Sequence, residues 1–227
     1  STGKKLIFGG VGKKKIVLKE EWMVGFITTW IVGLLAHAYR FFNFLPIWDS
    51  IYNFTGVGST YTLGRWFLGY AGLITSMFDL PWVNGAFSLF YISIVVILLT
   101  EMFEIKNKGM IVLCAAIFVS FPTVVSSFAY MYTADAYLLA FLLATLAVYL
   151  TWCVKKWGTI AGMVCLAFAM GIYQAYATVA IVLVLLYIIR QFVIEKLDFL
   201  EAVRKDLKYL GMLVGGAVLY AVILKIT

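Results

Sequence analysis

Residues 160–170 read IAGMVCLAFAM and residues 179–189 read VAIVLVLLYII. Neither run alternates apolar with polar residues, as a strand of a membrane barrel must. Both are too apolar for a surface helix, and backbone groups in lipid must be satisfied within the segment, so they read as helices. The whole chain agrees: hydrophobic residues are 64% and charged residues 13% of 227, with mean hydropathy +1.00. A soluble domain has roughly 45–50% apolar and about 25% charged residues. The expected fold is all-α, a polytopic membrane bundle of about seven helices. Apolar segments fall at Trp22–His37, Val83–Thr100, Gly109–Phe121, Ala134–Cys153, Gly158–Gly171, Tyr176–Ile189 and Tyr209–Ile226. Ser1–Gly12 (STGKKLIFGGVG) fits no helix or strand and reads as a leader, leaving 13–227 as the membrane module.

Charge orients the bundle. With the amino terminus in the cytoplasm, inside segments hold fifteen of the eighteen Lys and Arg residues, as the positive-inside rule demands. Only Arg40, Arg65 and Lys225 are left outside. The net charge of +7 is thereby explained without nucleic acid. Lys13–Lys15 can touch anionic headgroups, and Lys196–Lys208 reads as an amphipathic helix on the cytoplasmic face. Cys114, Cys153 and Cys165 have no metal-ligand spacing and read as small buried hydrophobes. No metal or cofactor is expected.

The first outer stretch, 37–82, is too long for a turn and full of aromatics. Long loops of this kind are commonly functional, and the aromatics imply interfacial helices, with Trp48, Tyr52, Trp66 and Tyr70 at headgroup depth. Thr55–Thr60 (TGVGST) lacks the Lys of a phosphate-binding P-loop. Three acids face outward: Asp49, Asp79 and Asp135. Ionisable groups kept at a membrane boundary are costly and point to function. Asp49 is either an N-cap or a general base for an acceptor hydroxyl. Asp135, at the start of a helix, either complements the helix dipole or works in the site with Asp49. Asp79, before Leu80-Pro81, reads as a turn and cap. Arg65 suits a phosphate, because guanidinium offers a forked, permanently charged donor set. Arg40 can share that role or snorkel to headgroups, and His37 can orient it. Tyr132, Tyr137 and Tyr173 suggest a sugar platform, and Gln174 either binds a sugar hydroxyl or satisfies a tight turn.

In order and topology, Asp49 through Gly64-Arg65-Trp66, Phe121-Pro122 to Thr133-Ala134-Asp135-Ala136-Tyr137, and Gly171-Ile172-Tyr173-Gln174-Ala175-Tyr176 resemble one group of enzymes. This is the GT-C class of polyprenyl-phosphate-sugar glycosyltransferases. Within it, the glucosyltransferase II family, which modifies bacterial O-antigens and related surface polysaccharides, is the nearest in pattern. The resemblance implies a multi-pass protein of the bacterial inner membrane with its site on the outer face. It implies a donor sugar, glucose in that family, on undecaprenyl phosphate, and a glycan or lipid-linked glycan acceptor. Attack by an acceptor hydroxyl inverts the anomeric centre, with Asp49 as base and Arg65, with Arg40, on the phosphate. Family members are longer, so the chain is expected to be the amino-terminal part of a larger protein. A lipid or solute transporter and a non-catalytic membrane subunit remain as alternatives. A transporter places its ionisable residues at mid-bilayer in broken helices, whereas here they gather at one surface.

Overall fold

Each long apolar run folds as a helix, because a helix satisfies its own backbone in lipid. The computed structural model describes residues 5–7, 17–52, 63–196 and 199–227. The long helices are α1 (Glu20–Phe42), α4 (Pro81–Met102), α5 (Lys108–Ser120), α7 (Met131–Cys153), α8 (Gly158–Ile172), α9 (Ala177–Arg190) and α10 (Phe199–Ile226). Short helices α2 (Trp48–Tyr52), α3 (Leu68–Ala71) and α6 (Pro122–Ser127) lie in the connections. Among the described residues, five stretches are long and apolar enough to cross a membrane, and one of them, Lys108–Cys153, contains both α5 and α7. The helix at Gly158–Ile172 is apolar but shorter. The molecule is a membrane helix bundle.

Local chemistry sets the helix ends. Glu20 and Glu21 open α1 and Arg40 closes it, each sign favoured at that end of the helix dipole. The Asn107 side chain caps α5 by accepting from the Met110 N–H at 3.2 Å. Phe121 has φ −62° and ψ 140°, since a residue before proline is pushed out of the helical region; α5 therefore stops and Pro122 starts α6.

Helix α7 runs through the middle. Its Ala134, Ala136, Ala140, Ala144 and Ala147 are all fully buried. Small residues let membrane helices approach closely where lipid supplies no hydrophobic drive. At Gly162 of α8, a Cβ atom would lie 2.7 Å from the Ala147 carbonyl oxygen, so only glycine permits that packing. One core joins α1, α4, α5 and α7 around Phe41, Leu89, Val119 and Phe128. A second joins α7 to α10 around Ala147, Leu166, Tyr187 and Met212. A third seats the loop residues Leu68 and Met77 on Ala136, Ala140 and Ile172. That third core fixes the outer stretch to the bundle.

Several expectations change. Residues 196–208 do not form a separate amphipathic helix: α10 is continuous over Phe199–Ile226, and Asp206 is buried with Gln191 donating to it at 3.0 Å. Lys5–Ile7 is not structureless but pairs antiparallel with Val17–Lys19. Cys114 and Cys153 are exposed on their helices rather than buried, as an apolar surface facing lipid permits. Trp66 is buried rather than interfacial, packed on Phe168 at 5.3 Å; Trp48 and Tyr70 are exposed. The Thr55–Thr60 loop, Lys13–Lys15 and the Tyr52 side chain lie outside the described residues.

Candidate active site

The ionisable residues separate to two ends of the bundle. At one end are Lys19, Glu20, Glu101, Glu104, Lys108, Arg190 and Glu195, joined by ion pairs. At the other are His37, Arg40, Asp49, Arg65, Asp79 and Asp135. Among the described residues no ion pair within 4.0 Å forms at this second end.

Arg65 is placed from both sides. Before it, Gly64 has φ +74°, a left-handed conformation that glycine adopts without steric cost. This turn offers two carbonyls to the bundle. Gln174 Nε2 donates to the Leu63 carbonyl at 2.7 Å and to the Tyr220 hydroxyl at 2.9 Å. Tyr220 donates in turn to the Gly64 carbonyl at 3.0 Å. After Arg65, Trp66 fills the space over Gly171, where a Cβ atom would lie 2.6 Å from its ring. The Phe67 N–H donates to the Gly171 carbonyl at 2.8 Å. So Leu63–Phe67 is docked on the α8–α9 joint, with Arg65 between two anchors.

The Arg65 guanidinium lies 4.4 Å from the centre of the Tyr173 ring, and one nitrogen donates to the Tyr137 hydroxyl at 3.4 Å. Its Nε is buried without a hydrogen-bond partner among the described residues. Tyr137 and Tyr173 stack at 5.6 Å, and Tyr176 lies 6.4 Å from Tyr137. Tyr132 is within electrostatic reach of both Asp49 and Arg65. The structure therefore brings Arg65, Tyr137, Tyr173 and Gln174 together, with Tyr132 and Asp49 in the electrostatic surroundings.

Asp49 stands in the first turn of α2 and is exposed. The side chain that serves this turn is Ser50, whose Oγ accepts from the Ile47 N–H at 3.0 Å and donates back to the Ile47 carbonyl at 2.8 Å. Capping thus falls to Ser50. Among the described residues no hydrogen bond or ion pair engages the Asp49 carboxylate.

The other members are engaged elsewhere. His37 is buried between Phe41 and Phe128, and its Nε2 donates to the Val119 carbonyl at 2.8 Å. Arg40 donates to the carbonyls of Phe128 at 2.8 Å and Ala129 at 3.1 Å, and also to that of Leu45. Both tie α1 to its neighbours. Asp135 is buried and accepts from Thr75 Oγ1 at 3.0 Å and Asn84 Nδ2 at 3.2 Å. Asn84 also accepts from the Leu80 N–H at 2.9 Å, so it caps α4 while gripping Asp135. Asp79 does not cap α4: its buried carboxylate oxygens have no hydrogen-bond partner among the described residues, and Arg40 is its electrostatic neighbour.

Thr75, Asn84 and Tyr220 were missing from the sequence reading. Asn84 had a signal, a polar amide inside an apolar helix, which demands a partner in lipid. Tyr220 had none, since aromatics near helix ends ordinarily mark the membrane interface.

An apolar groove of 650 Å³ opens beside this cluster. It runs from Phe103 and Leu186 past Phe118 and Val182 to Thr123, Ser127 and Tyr176. Tyr176 belongs both to the groove and to the tyrosine cluster on Arg65.

A family model for the glucosyl transferase GtrII matches residues 38–227. The chain belongs to the glucosyl transferase GtrII family. The matched region takes in Arg40, Asp49, Arg65, Asp135 and Gln174, and leaves out most of α1 with His37. No curated protein and no solved structure gives a significant match. The protein is thus a glycosyltransferase of membrane-helical build.

Proposed function

We propose that the protein transfers a sugar, glucose by its family, from a polyprenyl phosphate such as undecaprenyl phosphate to a cell-surface glycan, O-antigen included. The reaction takes place on the outer face of the bacterial inner membrane, with the amino terminus in the cytoplasm. The observation that carries this reading is Arg65: a cation with no carboxylate within 4.0 Å among the described residues, held over Tyr173, next to an apolar groove that ends at Tyr176. A lipid phosphate has the two halves this arrangement needs. Its anion meets the forked guanidinium, which binds phosphate oxygens in a charge-assisted way. Its isoprenoid tail lies in the groove.

Asp49 is the base. As the acceptor hydroxyl attacks the anomeric carbon, its proton passes to the Asp49 carboxylate, a new C–O bond forms and the bond to the phosphate oxygen breaks. Attack opposite the leaving phosphate inverts that carbon. Charge builds on the departing phosphate, where Arg65 stabilises it; fixed charges aimed at developing charge are commonly the largest catalytic term. Tyr132, Tyr137 and Tyr173 offer ring faces and hydroxyls to the sugars. Asp135 supports this end by holding Thr75 and Asn84, Arg40 by holding the Phe128 carbonyl, and His37 by holding the Val119 carbonyl.

The test is native mass spectrometry of the purified protein with undecaprenyl phosphate. Wild type should retain the lipid, and Arg65→Ala should retain measurably less of it at unchanged thermal stability. Equal retention by both would remove Arg65 from the donor site.

A further inference from the structure

We infer that Tyr220, on α10, is a positioning residue for Arg65, acting with Gln174 through the backbone of Leu63 and Gly64. The inference rests on the reading of Arg65 as the donor-phosphate group, and it adds α10 to the machinery of that site.

The argument begins with the turn. A left-handed residue aims its flanking carbonyls away from the regular path, and both carbonyls around Gly64 are captured. Tyr220 lies 156 residues from Gly64, and Gln174 lies 111 residues from Leu63. Two remote elements therefore converge on the two consecutive peptide units that flank Gly64. They are also bonded to each other through Gln174 Nε2 and the Tyr220 hydroxyl. The fit is tight: a Cβ atom on residue 64 would lie 2.5 Å from the Tyr220 oxygen and 2.6 Å from Gln174 Nε2. Each hydrogen-bonding atom has a defined task. The phenol accepts from the amide and donates to the Gly64 carbonyl, and the amide donates to the Leu63 carbonyl.

A guanidinium that must meet a phosphate needs its backbone fixed, since small misplacements of a binding group cost much of its effect. On the far side of Arg65 that job is done by Trp66 on Gly171 and by the Phe67–Gly171 hydrogen bond. On the near side it falls to Gln174 and Tyr220. The Arg65 side chain itself has one described hydrogen bond, at 3.4 Å to Tyr137, so its aim depends largely on this backbone. Tyr220 acts through Gly64 and touches no reacting atom, which makes it a positioning residue rather than a catalytic one.

The experiment uses the full-length protein in detergent, with Tyr220→Phe as the main variant and Gln174→Leu as the second. Undecaprenyl phosphate binding is titrated in wild type, Tyr220→Phe, Arg65→Ala and the double variant. Tyr220→Phe should weaken binding by roughly tenfold, about what one or two hydrogen bonds contribute, and should add nothing in the Arg65→Ala background. Equal weakening in both backgrounds shows a general structural role and overturns the inference. A second readout needs no lipid: tryptic cleavage between Arg65 and Trp66, followed by mass spectrometry with Lys155–Lys156 as internal reference. Cleavage there should accelerate in Tyr220→Phe and Gln174→Leu while the reference site is unchanged. Unchanged cleavage overturns the clamp. If instead Arg65→Ala binds lipid like wild type, the phosphate reading fails, while the cleavage rates still decide whether Tyr220 holds this turn.

Discussion

The two ends of the bundle handle charge in opposite ways. At the basic end, cations meet acids: Lys19 with Glu101 at 2.7 Å, Arg190 with Glu104 at 3.1 Å, Lys205 with Glu195 at 3.2 Å, and Lys108 with Glu20. At the aspartate end, no cation meets an acid that closely among the described residues. Arg40 is turned onto carbonyls, Asp135 onto neutral donors, and Arg65 onto aromatic rings. Paired charges are satisfied and need no further partner. A charge held in place without a counter-ion is left able to take one from a ligand. On the function proposed above, the contrast separates an end whose charges fasten the helices from an end whose charges are kept for a ligand.

The sharpest break of that contrast is Asp49→Asn. If the unengaged carboxylate is a base, transfer in the full-length protein should fall by roughly 10²–10⁴-fold, the usual worth of such a group, with thermal stability unchanged because Ser50 serves the turn. Wild-type transfer would make Asp49 an ordinary surface acid. Next in size is Arg65→Lys. Lysine keeps the charge and loses the fork, so donor affinity should drop by about ten- to a hundredfold on titration with undecaprenyl phosphate. Equal affinity would mean that charge alone suffices and that the geometry around Gly64 is incidental.

Asp135 tests the opposite claim, that some charges at this end are structural. Replacing it with alanine strips Asn84 Nδ2 and Thr75 Oγ1 of their shared acceptor in a buried place. Thr75 can fall back on the Gly72 carbonyl at 3.3 Å, but leaving the buried Asn84 amide unpaired and losing both bonds to the carboxyl group should cost about 2–4 kcal/mol, seen as a lower melting temperature in detergent. The surviving folded fraction should still bind undecaprenyl phosphate. A variant that melts normally but cannot transfer sugar would return Asp135 to the catalytic set beside Asp49.

How far the sequence could be read follows from the range of the interactions. The helices were legible because lipid forces each apolar run to satisfy its backbone locally, so composition over about 20 residues decides the element. The break at Phe121-Pro122 was legible for the same local reason. Arg65 could be picked out by type and position, and Gly64 and Gln174 lie in the motifs that carry the family resemblance. Their connection could not be read, since it runs through Tyr220, 156 residues from Gly64. The roles of His37 and Arg40 depended on carbonyls of Val119 and Phe128, and a carbonyl leaves no mark in a sequence. The continuity of α10 through its charged start was hidden because Asp206 finds Gln191 across a helix pair. Trp66 looked interfacial since a buried tryptophan and a headgroup tryptophan are the same letter.

The smallest expected effect lies at the basic end and completes the comparison. The Lys108–Glu20 pair joins the start of α5 to the start of α1, with side-chain exposures of 56% and 33%. Such a pair is screened by solvent and holds two long side chains at an entropic cost, so its worth is about 0–1 kcal/mol. Lys108→Ala should lower the melting temperature barely at all at low salt and not measurably at high salt, where screening shortens the reach of each charge. Sugar transfer and lipid binding should both match wild type. Five such pairs gather at this end among the described residues, so loss of one leaves the others in place. A loss above 2 kcal/mol, persisting in high salt, would show that this end carries buried electrostatic strength after all. The difference between the two ends would then be one of degree of burial, not of whether charge is spent on the fold or kept for a ligand.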